Sequence, residues 1–151
     1  MHRSRAWAKN DDGSAALEFI TVGVILLVPL VYLVIALGAI QEQTLGLEAA
    51  ARHTARAIAM APDAVAAAAD GDAVLEGIIE EYGLDPEAID VSLSCSPAGV
   101  ECPSAGVTLI VTVAARVQLP LVPPVFGLDR ATSIAVQAES AQKVSRLWGS
   151  E

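Results

Sequence analysis

The cysteines and histidines are the first places to look for chemistry in this chain. Cys95 and Cys102 bound the stretch Cys-Ser-Pro-Ala-Gly-Val-Glu-Cys. A tetrahedral zinc site needs four ligands, and two thiols with no histidine nearby do not supply them. The Cys-x-x-Cys spacing of a redox dithiol is absent. Proline and glycine inside the stretch let the chain turn back. One reading is therefore a small local disulfide, if this segment lies outside the cytoplasm. The other is a pair of free, partly buried thiols. His2 lies near the N-terminus, and His53 sits among helix-forming residues. Glu80, Glu81, Asp85, Glu87 and Asp90 do not follow the spacing of a calcium-binding EF-hand and read as a solvated face. No glycine-rich phosphate loop, nucleophile elbow or metal-ligand cluster appears. The expectation is a protein that is not an enzyme, with no cofactor, no metal and no small-molecule substrate.

Glu18 raises a different question. It stands directly before Phe19–Ile40, a run of 22 residues without a charge. At about 1.5 Å per residue a helix of that length crosses the roughly 30 Å hydrocarbon core of a bilayer. The composition agrees, with 54% hydrophobic residues and a mean hydropathy of +0.52. A buried core helix is the alternative, but the rest of the chain is too short to wrap a helix that is apolar on every face. Arg3, Arg5 and Lys9 precede the run, and the next basic residue after it is Arg52. The positive-inside rule then places the N-terminus in the cytoplasm and the C-terminal part outside. A secretory signal peptide has a shorter apolar region, about 7–15 residues, although the small residues of Ala36–Ala39 leave cleavage there open. Pro29, in mid-run, is expected to kink the helix.

The positioning elements follow from periodicity. Past the apolar run, Leu47, Ala51, Thr54, Ala55, Ile58 and Ala61 recur at helical spacing, up to Pro62. This predicts one helix over 14–61, with the membrane span at 19–40, whose second half needs a partner surface. Residues 62–82 read as one or two short helices, with a break and cap at Asp70-Gly71-Asp72 and an apolar face at Val74, Leu75, Ile78 and Ile79. Gly83 is placed to end the last of them. The period then changes to two. Ile89–Cys95, Val107–Leu119 and Thr132–Ala138 alternate apolar and polar residues and predict three strands with one buried face each. The fold class is therefore α+β: a long membrane-spanning helix continuing into a small outer domain, 62–151, with a three-stranded antiparallel sheet. The apolar segment Leu119–Leu128 either contacts a neighbouring subunit or folds over its own sheet. From Gln41 onward 15 acidic face 6 basic residues. That balance excludes a nucleic-acid partner, which needs a basic face.

A carboxylate inside a span costs about 2.5–3.5 kcal/mol at the helix centre and less near the surface. Glu18 is tolerated if it stays at headgroup level near the helix N-terminus, where negative charge is favoured. Its neighbours offer a second reading. A short basic leader ends at Gly13, Glu18 follows five residues later, and Phe19 comes next. This resembles the processing site of type IV prepilins, specifically the tight-adherence (Flp/Tad) branch. Gly-Ser-Ala-Ala-Leu-Glu-Phe, the span and Leu-Glu-Ala-Ala-Ala-Arg-His-Thr-Ala-Arg-Ala together resemble the TadE-like pseudopilin family. So do the Val-Thr-Leu-Ile-Val-Thr-Val strand and the Leu-Pro-Leu-Val-Pro-Pro-Val-Phe-Gly-Leu segment. Phe19 in place of tyrosine departs from the major pilin pattern but suits the pseudopilins.

The resemblance implies several things. Residues 1–13 would be a cytoplasmic leader, removed by a prepilin peptidase between Gly13 and Ser14. Ser14 would become the new N-terminus, and its ammonium would pair with Glu18 of a neighbouring subunit, so that two costly charges offset each other and set the stagger. The implied function is a minor pilin or pseudopilin assisting assembly of a Flp-type pilus or related secretion filament. Its partners would be the membrane, the peptidase, other pilins or pseudopilins and the assembly platform. It would lie in the cytoplasmic (inner) membrane as a single-pass protein, in or at the base of a pilus. The alternative is a single-pass membrane protein whose outer domain binds a partner unrelated to pili.

Overall fold

In the computed structural model, residues 12–122, 126 and 132–149 are described, with side chains from Ala15 onward. Helix α1 spans Asp12–Met60 without interruption, passing through Pro29. Its start lies ahead of the expected Ser14, and its end falls before Pro62, as expected. The chain divides into two compact units, Met1–Leu37 and Gly38–Glu151. The second unit thus begins inside α1. The expected boundary at 61/62 is displaced because the outer half of α1 is part of the core of the folded unit.

In the first unit, apolar side chains face outward on all sides of α1. Leu17, Ile20, Leu26, Leu30 and Leu33 are each more than half exposed. A core helix of a water-soluble fold buries such residues, because each fully buried large aliphatic side chain contributes about 1.5–3 kcal/mol. This helix is therefore long and apolar enough to cross a membrane, and it is not buried within the chain.

In the second unit, every residue of the expected α1 face is buried: Leu47, Ala51, Thr54, Ala55, Ile58 and Ala61. Half of the face is alanine, which lets neighbouring elements approach closely. Helix α2 spans Ala64–Glu81 as a single helix. Asp63 caps it, its Oδ1 accepting from the Val65 and Ala66 amides at 2.8 Å each. Such a cap satisfies donors that the first turn otherwise leaves open.

The expected break at Asp70-Gly71-Asp72 does not occur. Gly71 is buried in mid-helix against α1. A glycine between two aspartates looks like a turn, but here its missing side chain makes room for a neighbouring helix. The C-terminus is as expected. Gly83 adopts φ +59°, its amide donates to the Glu80 carbonyl, and the Leu84 amide donates to Ile79. This is a Schellman termination, with Leu84 buried beneath it.

A 3-10 turn at Pro86–Ala88 leads into strand β1, Ile89–Ser96. Strand β2 spans Thr108–Val117 and strand β3 Ile134–Lys143. The sheet order is β1-β2-β3, all antiparallel. Leu109, Val111 and Val113 of central β2 are fully buried and join Leu47, Ala55 and Ile58 of α1 and Ile78 of α2 in one core. The other face of β2 pairs small and polar neighbours, Ser92↔Thr112 and Thr112↔Glu139. The chain end is tied back: the Val144 amide donates to Val107 at 2.9 Å, and the Gly149 amide donates to Pro62 at 2.8 Å.

Candidate functional site

The residues around the start of α1 come first. Gly13 and Ser14 lie in the opening turn of the helix. Glu18 is one turn beyond Ser14, so the two positions share a face by the i,i+4 geometry of a helix. Glu18 is exposed, and Phe19 is 81% exposed. The rest of the expected leader, residues 1–11, lies outside the described residues. The structure thus gathers Gly13, Ser14, Glu18 and Phe19 on one helical segment. Helix N-terminal amides have no carbonyl partners within the helix, so this end favours a carboxylate over a basic residue.

Two threonine hydroxyls of α1 are satisfied by the helix itself. The Thr21 hydroxyl donates to the Leu17 carbonyl at 2.7 Å, and further along the Thr44 hydroxyl donates to Ile40 at 2.8 Å. In hydrocarbon an unbonded hydroxyl is expensive, and a bond to the preceding turn removes that cost without any partner chain.

The cysteines lie in the second unit, at the end of the β1–β2 hairpin. They stand as a disulfide pair, with Cα atoms 5.6 Å apart, within the usual range for such a bond. Cys95 is half-buried and packs against the core, and Cys102 is exposed. The register ends at Ser96↔Thr108, so the bond closes the loop just past the last paired residues. Ser104 adds a turn contact, its hydroxyl donating to the Glu101 carbonyl at 2.7 Å.

Of the surface depressions of the second unit that carry polar side chains, two include the acidic residues and the histidine singled out in the sequence. One, of about 760 Å³, lies over the end of the sheet and includes Glu87, Asp90, Arg116 and Gln137. The other lies between α1 and α2 and includes His53, Arg56, Met60 and Glu81. His53 is exposed. Among the described residues, no group of three or more histidine, cysteine, aspartate or glutamate side chains is placed to hold a metal ion.

Two exposed residues had no individual role in the sequence reading. Leu121 is 80% exposed and Phe126 fully so, and both adopt positive φ, 66° and 56°. The only signal for them in the sequence is the unusually apolar, proline-rich segment in which they stand. Comparison with known proteins adds nothing to this geometry: no family model, no curated protein and no solved structure matches the chain.

Proposed function

We propose that the chain is a minor pilin or pseudopilin of the TadE-like kind, a structural component that assists assembly of a Flp-type pilus or related secretion filament. The observation that carries this reading is the motif Gly13-Ser14-Ala15-Ala16-Leu17-Glu18-Phe19 at the head of an outwardly apolar helix that runs on into a folded α+β unit. A prepilin peptidase would cut between Gly13 and Ser14. This removes Arg3, Arg5 and Lys9, the positive charges that hold the precursor's N-terminus on the cytoplasmic side. It leaves an ammonium at Ser14. In a bundle of such helices, Glu18 of one subunit accepts that ammonium from the next. Each charge is costly in a low-dielectric bundle when alone, and the pair is tolerated.

The orientation follows from the same basic leader, and the disulfide pair fits an outer domain in an oxidising compartment. The protein would then sit in the cytoplasmic membrane with the unit from Gly38 onward outside.

N-terminal sequencing of the protein, produced with and without a prepilin peptidase of the tight-adherence type, tests the reading. The mature chain is expected to begin at Ser14 only when the peptidase is present. A chain that keeps Met1–Gly13 beside an active peptidase leaves a single-pass protein with a partner-binding outer domain. A chain that begins near Ile40 points to signal peptidase instead. Either result overturns the pilin reading.

A further inference from the structure

The sheet has two free edges, and they are finished differently. The order β1-β2-β3 leaves the outer sides of β1 and β3 without a partner strand among the described residues. Along each edge, every second residue turns its N–H and C=O groups away from β2. Val111 of β2 pairs with Leu93 on one side and Ser140 on the other, so the three share the core-facing side of the sheet. Val111 is fully buried, whereas Leu93 is 50% exposed. At the β3 edge the same row ends in a serine, which tolerates water, and the strand carries Glu139 and Lys143. Charges of this kind blunt an edge against further pairing. From Val91 to Ser96, β1 has neither a charge nor a proline. The charge around this open edge has one sign. Between Arg56 and Arg116 lie ten acidic residues and no lysine or arginine. Asp90 stands near the start of β1, and a depression lined by Asp72, Leu75, Glu76, Ile79 and Glu80 of α2 reaches Pro86, in the turn that leads into β1.

We infer that the outer edge of β1 takes up an extended, basic segment of a partner protein as a fourth strand. The backbone of that segment pairs with the free N–H and C=O groups of Ile89–Ser96. Its side chains alternate between the two faces of the sheet. Apolar residues on the core-facing side cover Leu93. Lysine or arginine on the other side meets Asp90, which pairs with Ala114 and so lies on the face opposite Leu93. The acidic residues of α2 add a field that favours a basic segment over an acidic one. A second copy of this chain is the poorer occupant. Two β1 edges brought together would set one acidic surface against another, and like charges oppose that contact. The pairing needs only the second unit, so it holds whether or not the chain is cut between Gly13 and Ser14.

The test uses the full chain in a non-ionic detergent and two short synthetic peptides, one alternating valine with lysine and one alternating valine with glutamate. Binding is followed by fluorescence anisotropy of the labelled peptides, and amide exchange is read residue by residue in the chain. The lysine peptide is expected to protect alternate amides of Ile89–Ser96 and to leave those of Ile134–Lys143 unchanged. The glutamate peptide is expected to bind at least about tenfold more weakly. Leu93→Glu separates strand addition from attraction by charge alone. It makes the edge more acidic, so a peptide held only by charge would bind more tightly. A peptide that covers Leu93 is expected to bind about tenfold more weakly. The exchange measurement uses the unaltered chain and decides the matter even if the variant fails to fold. No binding of the lysine peptide, binding without protection of β1, or equal or tighter binding to the folded Leu93→Glu chain would each overturn the inference. So would a glutamate peptide that binds as tightly as the lysine peptide. Protection of Ile89–Ser96 in the peptide-free chain that is lost on dilution would assign the edge to a second copy and overturn it as well.

Discussion

Gly71 of α2 lies so close to Ile58 of α1 that a Cβ in its place would stand 2.9 Å from Ile58 Cγ1 and 3.2 Å from its Cδ1. Ile58 is buried, and Cγ1 is the inner part of its side chain, so it cannot move aside cheaply. Gly77, six residues on in the same helix, has nothing within 4 Å of the corresponding point. The two glycines therefore respond oppositely to the same change. Gly71→Ala is expected to destabilise the folded unit by about 1–3 kcal/mol through overpacking. Gly77→Ala is expected to stabilise it by about 0.5–1 kcal/mol, because alanine restricts the unfolded chain and suits a helix. Thermal unfolding of both variants in detergent, followed by circular dichroism, checks the pair. Equal effects would mean that α1 and α2 do not pack at Gly71.

Thr54 gives a related expectation. It is 3% exposed, and its Oγ1 has no hydrogen-bond partner among the described residues. A buried hydroxyl without a partner costs roughly 1–3 kcal/mol. Thr54→Val keeps the branched shape and removes the hydroxyl. It is expected to raise stability by on the order of 1 kcal/mol. A loss of stability in the same unfolding assay would show that the hydroxyl has a partner in the assembled protein, such as a water or a second chain.

What the sequence revealed and what it hid divide along physical lines. The face Leu47-Ala51-Thr54-Ala55-Ile58-Ala61 was legible because a helix that packs on one side must repeat near 3.6 residues. The three strands were legible because a half-buried strand must alternate. Gly71 was misread because local chemistry favours a turn there, and only the position of Ile58, thirteen residues earlier in sequence, decides otherwise. The last residues of β3 were missed because Ser140 to Lys143 show no apolar alternation. Their strand conformation is set by pairing, Ile110↔Ala141 and Thr108↔Lys143. Glu18 and Gly13 were legible as a motif from the sequence, and no contact within the chain says what that motif does.

The disulfide has a calculable effect. Joining Cys95 to Cys102, seven residues apart, closes a short loop, and the chain-entropy account gives about 2.5 kcal/mol for it. Replacing both cysteines with serine is expected to lower stability by about 2 kcal/mol. Loosening should centre on β1, which is an edge strand with Leu93 already 50% exposed. Amide exchange should rise at Ser92–Ser96 more than at Leu109–Val113, whose side chains are buried on alternate positions. Free thiols on non-reducing mass spectrometry of protein taken from the native membrane would overturn the bond itself.

Glu18 separates the two readings of the N-terminal motif. It is exposed on α1, one turn from Ser14. Glu18→Ala removes a charge from the edge of an apolar run, so insertion into the membrane is expected to be unchanged or improved. If Glu18 of one subunit pairs with the Ser14 ammonium of the next, the variant leaves that ammonium unpartnered. Breaking one side of a buried pair costs about 3–5 kcal/mol, which corresponds to a hundredfold or greater loss of association, at about 1.4 kcal/mol per tenfold. On the proposed function, co-assembly is measured by crosslinking to pilins produced in the same membranes, alongside N-terminal sequencing. Processing has to be read first, because a peptidase that recognises Glu18 would leave the leader in place and block assembly for a different reason. In that event a chain produced with Ser14 as its native N-terminus restores the comparison. A processed Glu18→Ala chain that crosslinks at wild-type yield would rule out the charge pair. Glu18 would then be a carboxylate tolerated at the membrane surface, with no part in the contact between subunits.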